Sequence, residues 1–347
     1  MPLRHMSTIL VMCMVGLAAE SGELLPPDRS PAEAPAVTVL QMDDLTRKAI
    51  ALFDATPTSA RHYDLVDCLD GLTFGFGNIP QSDLHGFMTR MAADRDGVTL
   101  RALASRMAEY FRTDEAAWTN FASRAQLSAG DRSDSAVLTG LQRTMLSPHF
   151  MQPYRRPFTN RAQSSTRCTP NNPPAGTRSF FDDHAIWFRP AARLALRDSD
   201  VVDFQVRDWR TKYLDRGVRS ADGLGISGEP GSILLTFVMS NPGQIAQPAR
   251  GHLVRGEAPV SFTIAGRSWR WDGADRPASL TQAPLERWRL LLIWQAMCDG
   301  RPRIRNRNIA FFRDYLAPHF TLPSMQGQLP RDVPSANCNP QSVRPAV

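Results

Sequence analysis

Apolar residues recur at helical spacing through most of this chain, and this periodicity is the feature that most restricts its fold. Residues three or four positions apart share one face of an α-helix and can be buried together. The pattern predicts helices over 39–54, 83–94, 97–112, 133–148, 180–196, 199–215, 233–239 and 284–297. A strand-like segment is limited to the aromatic, Gly-rich stretch that Asp70 opens within 63–77, and residues 259–272 alternate like a hairpin. Gly217 to Gly231 is typical of a Gly-rich connection. The sequence therefore predicts a mainly α protein with a small β element (α+β).

The N-terminus has the composition of an export signal. Arg4 and His5 precede an apolar stretch from Ser7 to Ala19, and Gly16-Leu17-Ala18 offers small residues for cleavage. We therefore predict a signal peptide over 1–19, with an uncleaved membrane anchor or a wrongly assigned start codon as the alternatives. No apolar run reaches the roughly 18 residues of a membrane-spanning helix. The expected location is secreted or periplasmic, without membrane attachment once the signal is cleaved.

Composition divides the remainder of the chain. Residues 20–38 are rich in Pro, Ala and Glu and indicate a linker. A single catalytic domain is predicted over 39–320, and a Pro/Asn/Ser-rich stretch is the expected boundary between lobes at roughly 39–160 and 178–320. Residues 321–347 are the predicted C-terminal tail.

Cysteine usage agrees with export and argues against a metal. Four cysteines follow the leader, which predicts two disulfides with three possible pairings: Cys68, Cys168, Cys298 and Cys338. They contain no Cys-x-x-Cys, and the seven His residues form no His-Glu-x-x-His pattern. There is no P-loop or dinucleotide fingerprint either. We expect no metal and no cofactor.

The net charge of +6 comes almost entirely from arginine, since only Lys48 and Lys212 of the 40 Lys and Arg residues are lysines. The basic residues form no block and belong to no nucleic-acid motif, so no nucleic-acid partner is expected. A basic chain still attracts anionic partners or polymers.

The densest chemical pattern lies between Asp54 and Asp83. Asp54 ends the first predicted helix, and sixteen residues later Asp70 opens a Gly-rich aromatic segment that contains Thr73. Two carboxylates suit glycoside hydrolysis, in which one protonates the leaving oxygen and the other activates a water. We expect Gly75 and Gly77 to let the backbone bend and a sugar ring approach. The structural alternative is that Asp54 ends a helix and Asp70-Gly71 forms a turn, both of which are common roles.

These residues resemble the bacterial chitosanases of glycoside hydrolase family 46, within the lysozyme-like superfamily. There a helix ends Phe-Glu-Asn and is followed by Gly-Asp-Gly-Arg-Gly-Tyr-Thr-Gly-Gly; here Phe53-Asp54-Ala55 precedes the segment from Leu69 to Gly75. A second block, 203–224, is similar to the family's Gln-x-x-x-Arg-Asp and Ala-Asp-Gly-Leu series, with Gln205 out of register. The resemblance covers roughly 40–316. The chain departs from the family in having Asp54 in place of Glu and in lacking the Arg after Asp-Gly.

The resemblance implies a two-lobed fold with the cleft between the lobes, and hydrolysis of β-1,4 bonds with inversion. It implies the following roles: Asp54 as general acid, Asp70 as general base, Thr73 as the residue that positions the water, Tyr63, Asp67 and Asp83 as substrate-binding residues, and Arg207 and Asp208 as supporting ion-pair residues.

The resemblance also implies a polysaccharide partner, chitosan or peptidoglycan, and we expect a monomer. Because chitosan is a polycation, the basic charge of this chain disfavours it, and a strongly negative cleft would favour it again. Three alternatives stay open: a peptidoglycan muramidase, an effector directed at another cell's wall, and a non-catalytic glycan-binding protein with a degenerate site.

Overall fold

The fold is mostly helical, as the sequence predicts, with two small antiparallel sheets. The computed structural model describes residues 43–54, 62–68, 72–77, 79–146, 184–240, 245–259, 261–264, 266–276, 281 and 284–298. The helices in this part of the chain are α1 Asp44–Asp54, α2 Gln81–Ala93, α3 Val98–Thr113, α4 Glu115–Ala125, α5 Asp134–Thr144, α6 His184–Ala195, α7 Ser199–Trp209, α8 Asp215–Gly223, α9 Glu229–Ser240, α10 Ala249–Arg255 and α11 Leu285–Cys298.

Local side chains define several helix starts. Asp114 and Ser133 accept hydrogen bonds from the third backbone amides after them, at the starts of α4 and α5. Asp198 accepts from the amide of Asp200 at the start of α7. Such caps satisfy amides that have no partner within the helix. For α5 and α7 they explain why the helices begin close to where the sequence pattern places them.

Within the described residues, five strands form the β elements. The first sheet contains β1 Val66–Cys68, β2 Leu72–Phe74 and β3 Ile79–Pro80, with β2 in the centre. The second is the hairpin of β4 Ser261–Ile264 and β5 Arg267–Arg270, which confirms the predicted hairpin. Trp269 and Trp271 are buried, and Trp269 packs against Trp288 of α11. The hairpin tryptophans therefore belong to the core.

The apolar side chains of the described residues form two clusters. The first surrounds α3 and includes residues from the first sheet, α2 to α6 and the start of α7. The second surrounds α9 and α11 and includes the β4–β5 hairpin and the end of α7. Helix α7 contributes Phe204 to the first cluster and Trp209 to the second. The clusters thus change over within α7, whereas the loop predicted to separate the lobes lies outside the described residues and the lobe boundaries stay a prediction.

The structure corrects the prediction of a Gly-rich connection over 217–231. Helix α7 continues through a π-helix, Arg210–Leu214, into α8, and only a short link precedes α9. Gly217 lies inside α8 and Gly223 at its end. A Cβ at position 217 would overlap Thr236 of α9, and one at position 223 would lie 2.6 Å from the carbonyl oxygen of Gly256, so these helix positions have no room for a side chain. Tertiary packing therefore overrides the low helix propensity of glycine here. Two further helices that the pattern did not predict are α4 and α10.

Other predictions fall largely outside the described residues. The signal peptide (1–19), the linker (20–38), the C-terminal tail (321–347), Cys168 and Cys338 all lie there, as do the side chains of Cys68 and Cys298. Among the helices that are described, none is long and apolar enough to cross a membrane.

Candidate functional site

Thr73, one of the predicted site residues, lies at the centre of the first sheet. Thr73 is the middle residue of β2, paired with Asp67 of β1 on one side and with Pro80 of β3 on the other. Its side chain is buried, with 6% of the residue exposed. The register makes Asp67 and Thr73 direct cross-strand neighbours, which the sequence spacing alone did not predict.

Of the two carboxylates predicted to be catalytic, one precedes this sheet in the chain and the other lies between its first two strands. Helix α1 ends at Asp54, as the sequence predicts. Asp70 belongs to the connection between β1 and β2, residues 69–71, which lies outside the described residues. The side chains of Asp54 and Asp67 also lie outside them. The catalytic roles of Asp54 and Asp70 therefore stay predictions.

The end of the β1–β2 hairpin away from that connection is held by buried polar groups. The amide of Gly75 donates to the carbonyl of Leu65 at 2.7 Å, which extends the pairing by one position. One residue further, the Arg197 guanidinium donates to Asp64 Oδ2 at 2.7 Å. Asp64 is 3% exposed, so this carboxylate depends on arginine for its charge compensation.

Gln205 of α7 holds the chain just after β2, at Phe76, which stands opposite Asp64. Its Oε1 accepts from the amide of Phe76 at 2.7 Å, and its Nε2 donates to the carbonyl of Leu196 at 3.3 Å. We call the contacts Phe76–Gln205, Gln205–Leu196 and Arg197–Asp64 the hairpin clamp. Gln205 is 1% exposed.

The structure gives Gly75 and Gly77 a different role from the one predicted. Both have positive φ, 63° and 79°, so the backbone does bend there. The space beside them is occupied by α7: a Cβ at position 75 would overlap the Gln205 amide, and one at position 77 would lie 2.9 Å from Trp209 Cδ1. These glycines therefore admit side chains of α7, where the sequence analysis expected a sugar ring.

An aromatic row runs from Tyr63 to the π-helix. Tyr63 stacks on Phe76 with ring centroids 4.9 Å apart, Phe76 contacts Trp209 at 5.4 Å, and Trp209 contacts Tyr213 at 6.2 Å. Tyr63 is half-buried, with one face against Phe76. Its proposed part in sugar binding stays a prediction.

Asp83, in the first turn of α2, is exposed and forms an ion pair with Lys212 of the π-helix at 2.8 Å. Lys212 also lies over the Tyr213 ring, 5.3 Å from its centroid. Burial is the largest single influence on the pKa of Lys212 and acts to lower it, but the hydrogen bond to Asp83 together with the charges of Asp83 and Tyr213 leaves this pKa raised. The predicted substrate-binding carboxylate is therefore already paired with a cation.

Arg207 and Asp208 of α7 both make ion pairs with residues in or directly after α2. Arg207 donates to both carboxylate oxygens of Asp94, at 2.9 and 3.0 Å. Arg90 of α2 makes a bidentate contact with Asp208, at 2.5 and 3.0 Å. Bidentate arginine–carboxylate contacts fix relative orientation as well as distance. These pairs join α7 to α2 and to the turn that follows it.

The charge around α2, α7 and the π-helix is mixed. Five carboxylates near α2, α7 and the π-helix have a cationic partner: Asp43 and Asp215 with Arg210, Asp83 with Lys212, Asp94 with Arg207, and Asp208 with Arg90. Within the described residues, no group of three His, Cys, Asp or Glu could hold a metal ion.

Sequence reasoning missed the hairpin clamp. Gln205 had one visible signal, since it is a neutral polar residue enclosed by the apolar residues Val201, Val202, Phe204 and Val206 of one helix. Asp64 and Arg197 had none, because 133 positions separate them. Comparisons of this chain with protein-family models, with curated proteins and with solved structures give no match.

Proposed function

We propose that this protein is an exported glycoside hydrolase that cleaves β-1,4-linked glycans with inversion, by a chitosanase-like mechanism in a cleft between two lobes. Asp54 is the proposed general acid, Asp70 the general base, and Thr73 the residue that orients the attacking water. Asp54 protonates the glycosidic oxygen while Asp70 takes a proton from the water, which attacks the anomeric carbon from the opposite face. This needs about 6.5–9.5 Å between the two carboxyl groups.

The observation that carries the proposal is the order of elements around Thr73. A helix that ends at Asp54 is followed by a three-stranded antiparallel sheet, and Thr73 lies in its central strand. Asp70 belongs to the connection that leads into this strand. A helix end and a hairpin connection are both places where carboxylates can face a substrate while a packed scaffold holds the backbone.

The paired charges favour peptidoglycan over chitosan as the substrate. A polycation gains from unpaired carboxylates, but Asp83 is paired with Lys212 and Asp208 with Arg90. An N-acetylated glycan with anionic groups does not need such carboxylates and is attracted by the net positive chain. Peptidoglycan is therefore the preferred substrate, and chitosan is the competing one.

The test is release of reducing ends by the purified, exported and oxidised protein, with chitosan and peptidoglycan assayed side by side. Asp54→Asn and Asp70→Asn are expected to abolish hydrolysis without changing the thermal midpoint of unfolding. Asp44→Asn is the matched control, because Asp44 lies at the exposed start of the same helix. It should keep full activity.

Each result has a distinct meaning. Activity on peptidoglycan alone supports the preferred substrate, and activity on chitosan alone supports the competing one. Activity that survives in Asp54→Asn removes the proposed acid. A folded protein without activity on either glycan contradicts the hydrolase proposal and favours a glycan-binding protein.

A further inference from the structure

The hairpin clamp attaches both strands of the β1–β2 hairpin to one short piece of chain. Gln205 connects the amide of Phe76 to the carbonyl of Leu196, and the next residue, Arg197, holds Asp64. Leu196 and Arg197, the two residues that follow α6, are therefore connected to both strands. Leu196 reaches Phe76 through Gln205, and Arg197 contacts Asp64 directly. A strand that polar contacts fix at its end has its neighbouring residues oriented through the hydrogen bonds of its ladder.

The strand register shows which end is fixed. Val66 pairs with Phe74, and the Gly75 amide bonds Leu65, so Asp64 and Phe76 stand opposite each other just beyond the strands. The connection that contains Asp70 is at the other end, next to the Cys68–Leu72 pair. Thr73 lies between the clamp and that connection.

We infer that Gln205 is a positioning residue, which acts through the hairpin to place Thr73. This inference rests on the proposed function. The position requires an acceptor for the Phe76 amide and a donor for the Leu196 carbonyl, in a site that excludes water. A neutral primary amide supplies both at once, and no apolar side chain supplies either.

Glutamate and methionine at position 205 separate this role from simple packing. In Gln205→Glu the ionised carboxylate can accept from Phe76 but cannot donate to Leu196, whereas the protonated acid does both. Burial raises the pKa of such a carboxyl, so the protonated form persists into mildly acidic solution. Gln205→Met fills a similar volume and makes neither bond at any pH.

The experiment measures kcat and KM for the variants and the wild type from about pH 5 to about pH 8, below the unfolding temperature of each. Misplacement of catalytic groups by about 1 Å can cost on the order of 100-fold, so we expect a kcat loss of at least about 10-fold with KM unchanged. The ratio of Gln205→Glu to wild-type kcat should rise as the pH falls, and the ratio for Gln205→Met should stay flat. Gln295→Met is the control: Gln295 is also 1% exposed, and its amide has no hydrogen-bond partner in the described part of the chain.

Hydrogen exchange of the hairpin amides is measured on the same proteins, so that failure of this inference can be told from failure of the proposed function. Residues 65–76 should exchange faster in Gln205→Met, and in Gln205→Glu only at the higher pH, while α3 is unchanged. If the wild type hydrolyses glycan and neither Gln205 variant lowers kcat, the inference is overturned. If the wild type is inactive, the proposed function fails, and exchange decides alone: faster exchange at 65–76 supports the clamp and unchanged exchange refutes it.

Discussion

Gly75 and Gln205 occupy one site from two distant parts of the chain, since the side-chain amide of Gln205 fills the space where position 75 would carry a Cβ. The same amide bonds the next residue, Phe76, at 2.7 Å. The turn after β2 and the centre of α7 are therefore fitted to each other, and the lack of a side chain at Gly75 is a condition for the hairpin clamp.

Gly75→Ala should destabilise the fold more than Gly266→Ala. Both glycines have positive φ, 63° and 77°, so both variants incur about 1 kcal/mol of backbone strain. A Cβ at position 266 meets nothing within 4 Å, whereas at position 75 it overlaps Gln205. Overpacking adds roughly 1–3 kcal/mol to Gly75→Ala. Denaturant unfolding of the two variants measures the difference, and equal losses would contradict the fitted packing.

Replacing Arg197 should cost more stability than neutralising Asp64. Arg197→Met leaves a buried carboxylate whose one remaining cationic partner in the described part of the chain is Arg193, 3.7 Å away. We expect a loss of about 2 kcal/mol, below the full cost of a broken buried pair because Arg197 is half-exposed. Asp64→Asn removes the charge and keeps an acceptor for Arg197, for a loss of about 1 kcal/mol. Chemical denaturation gives both values. The reverse order would show that the arginine, and not the carboxylate, is the group that needs its partner.

Tyr110 should make stability fall at alkaline pH. Burial, together with its hydrogen bond to Asp114 at 2.9 Å, raises the pKa of Tyr110 to about 12, against about 10 in an unfolded chain. The folded state therefore retains this proton when the unfolded state has lost it, and the contribution to stability is complete below pH 10 and is lost as the pH rises toward 12. Stability curves of wild type and Tyr110→Phe should converge over this range. Parallel curves would contradict the raised pKa.

Thr73 offers a direct test of the proposed water site. Thr73→Val keeps the shape and the strand preference of the side chain and removes the hydroxyl, so stability should change by less than about 1 kcal/mol. If the hydroxyl orients the water, kcat on the glycan should fall on the order of 100-fold. Thr73→Ser keeps the hydroxyl and should retain most of the activity. A fully active Thr73→Val would remove Thr73 from the mechanism.

The sequence by itself determined the features that depend on neighbouring residues. Helical periodicity predicted the mainly α fold and most helices, the alternation over 259–272 predicted the second hairpin, and the pattern near Phe53 predicted that a helix ends at Asp54. Caps and turns act over three or four residues, so their signals stand in the linear order of the chain. The helix α8 was missed because what stabilises it lies in α9.

Only the tertiary structure decided which distant side chains contact the first sheet and its neighbouring segments. The sequence placed Gly75 beside a sugar, while the fold places it beside Gln205, which is 130 positions away. The fold also pairs Asp83 with Lys212 and Asp64 with Arg197. These contacts join side chains more than a hundred residues apart, and their favourable energy appears only after helices and sheet have packed and water has left the space between them. The residues next to Gly75 in sequence do not indicate which distant side chain will pack beside it. A local sequence pattern therefore cannot predict such a contact.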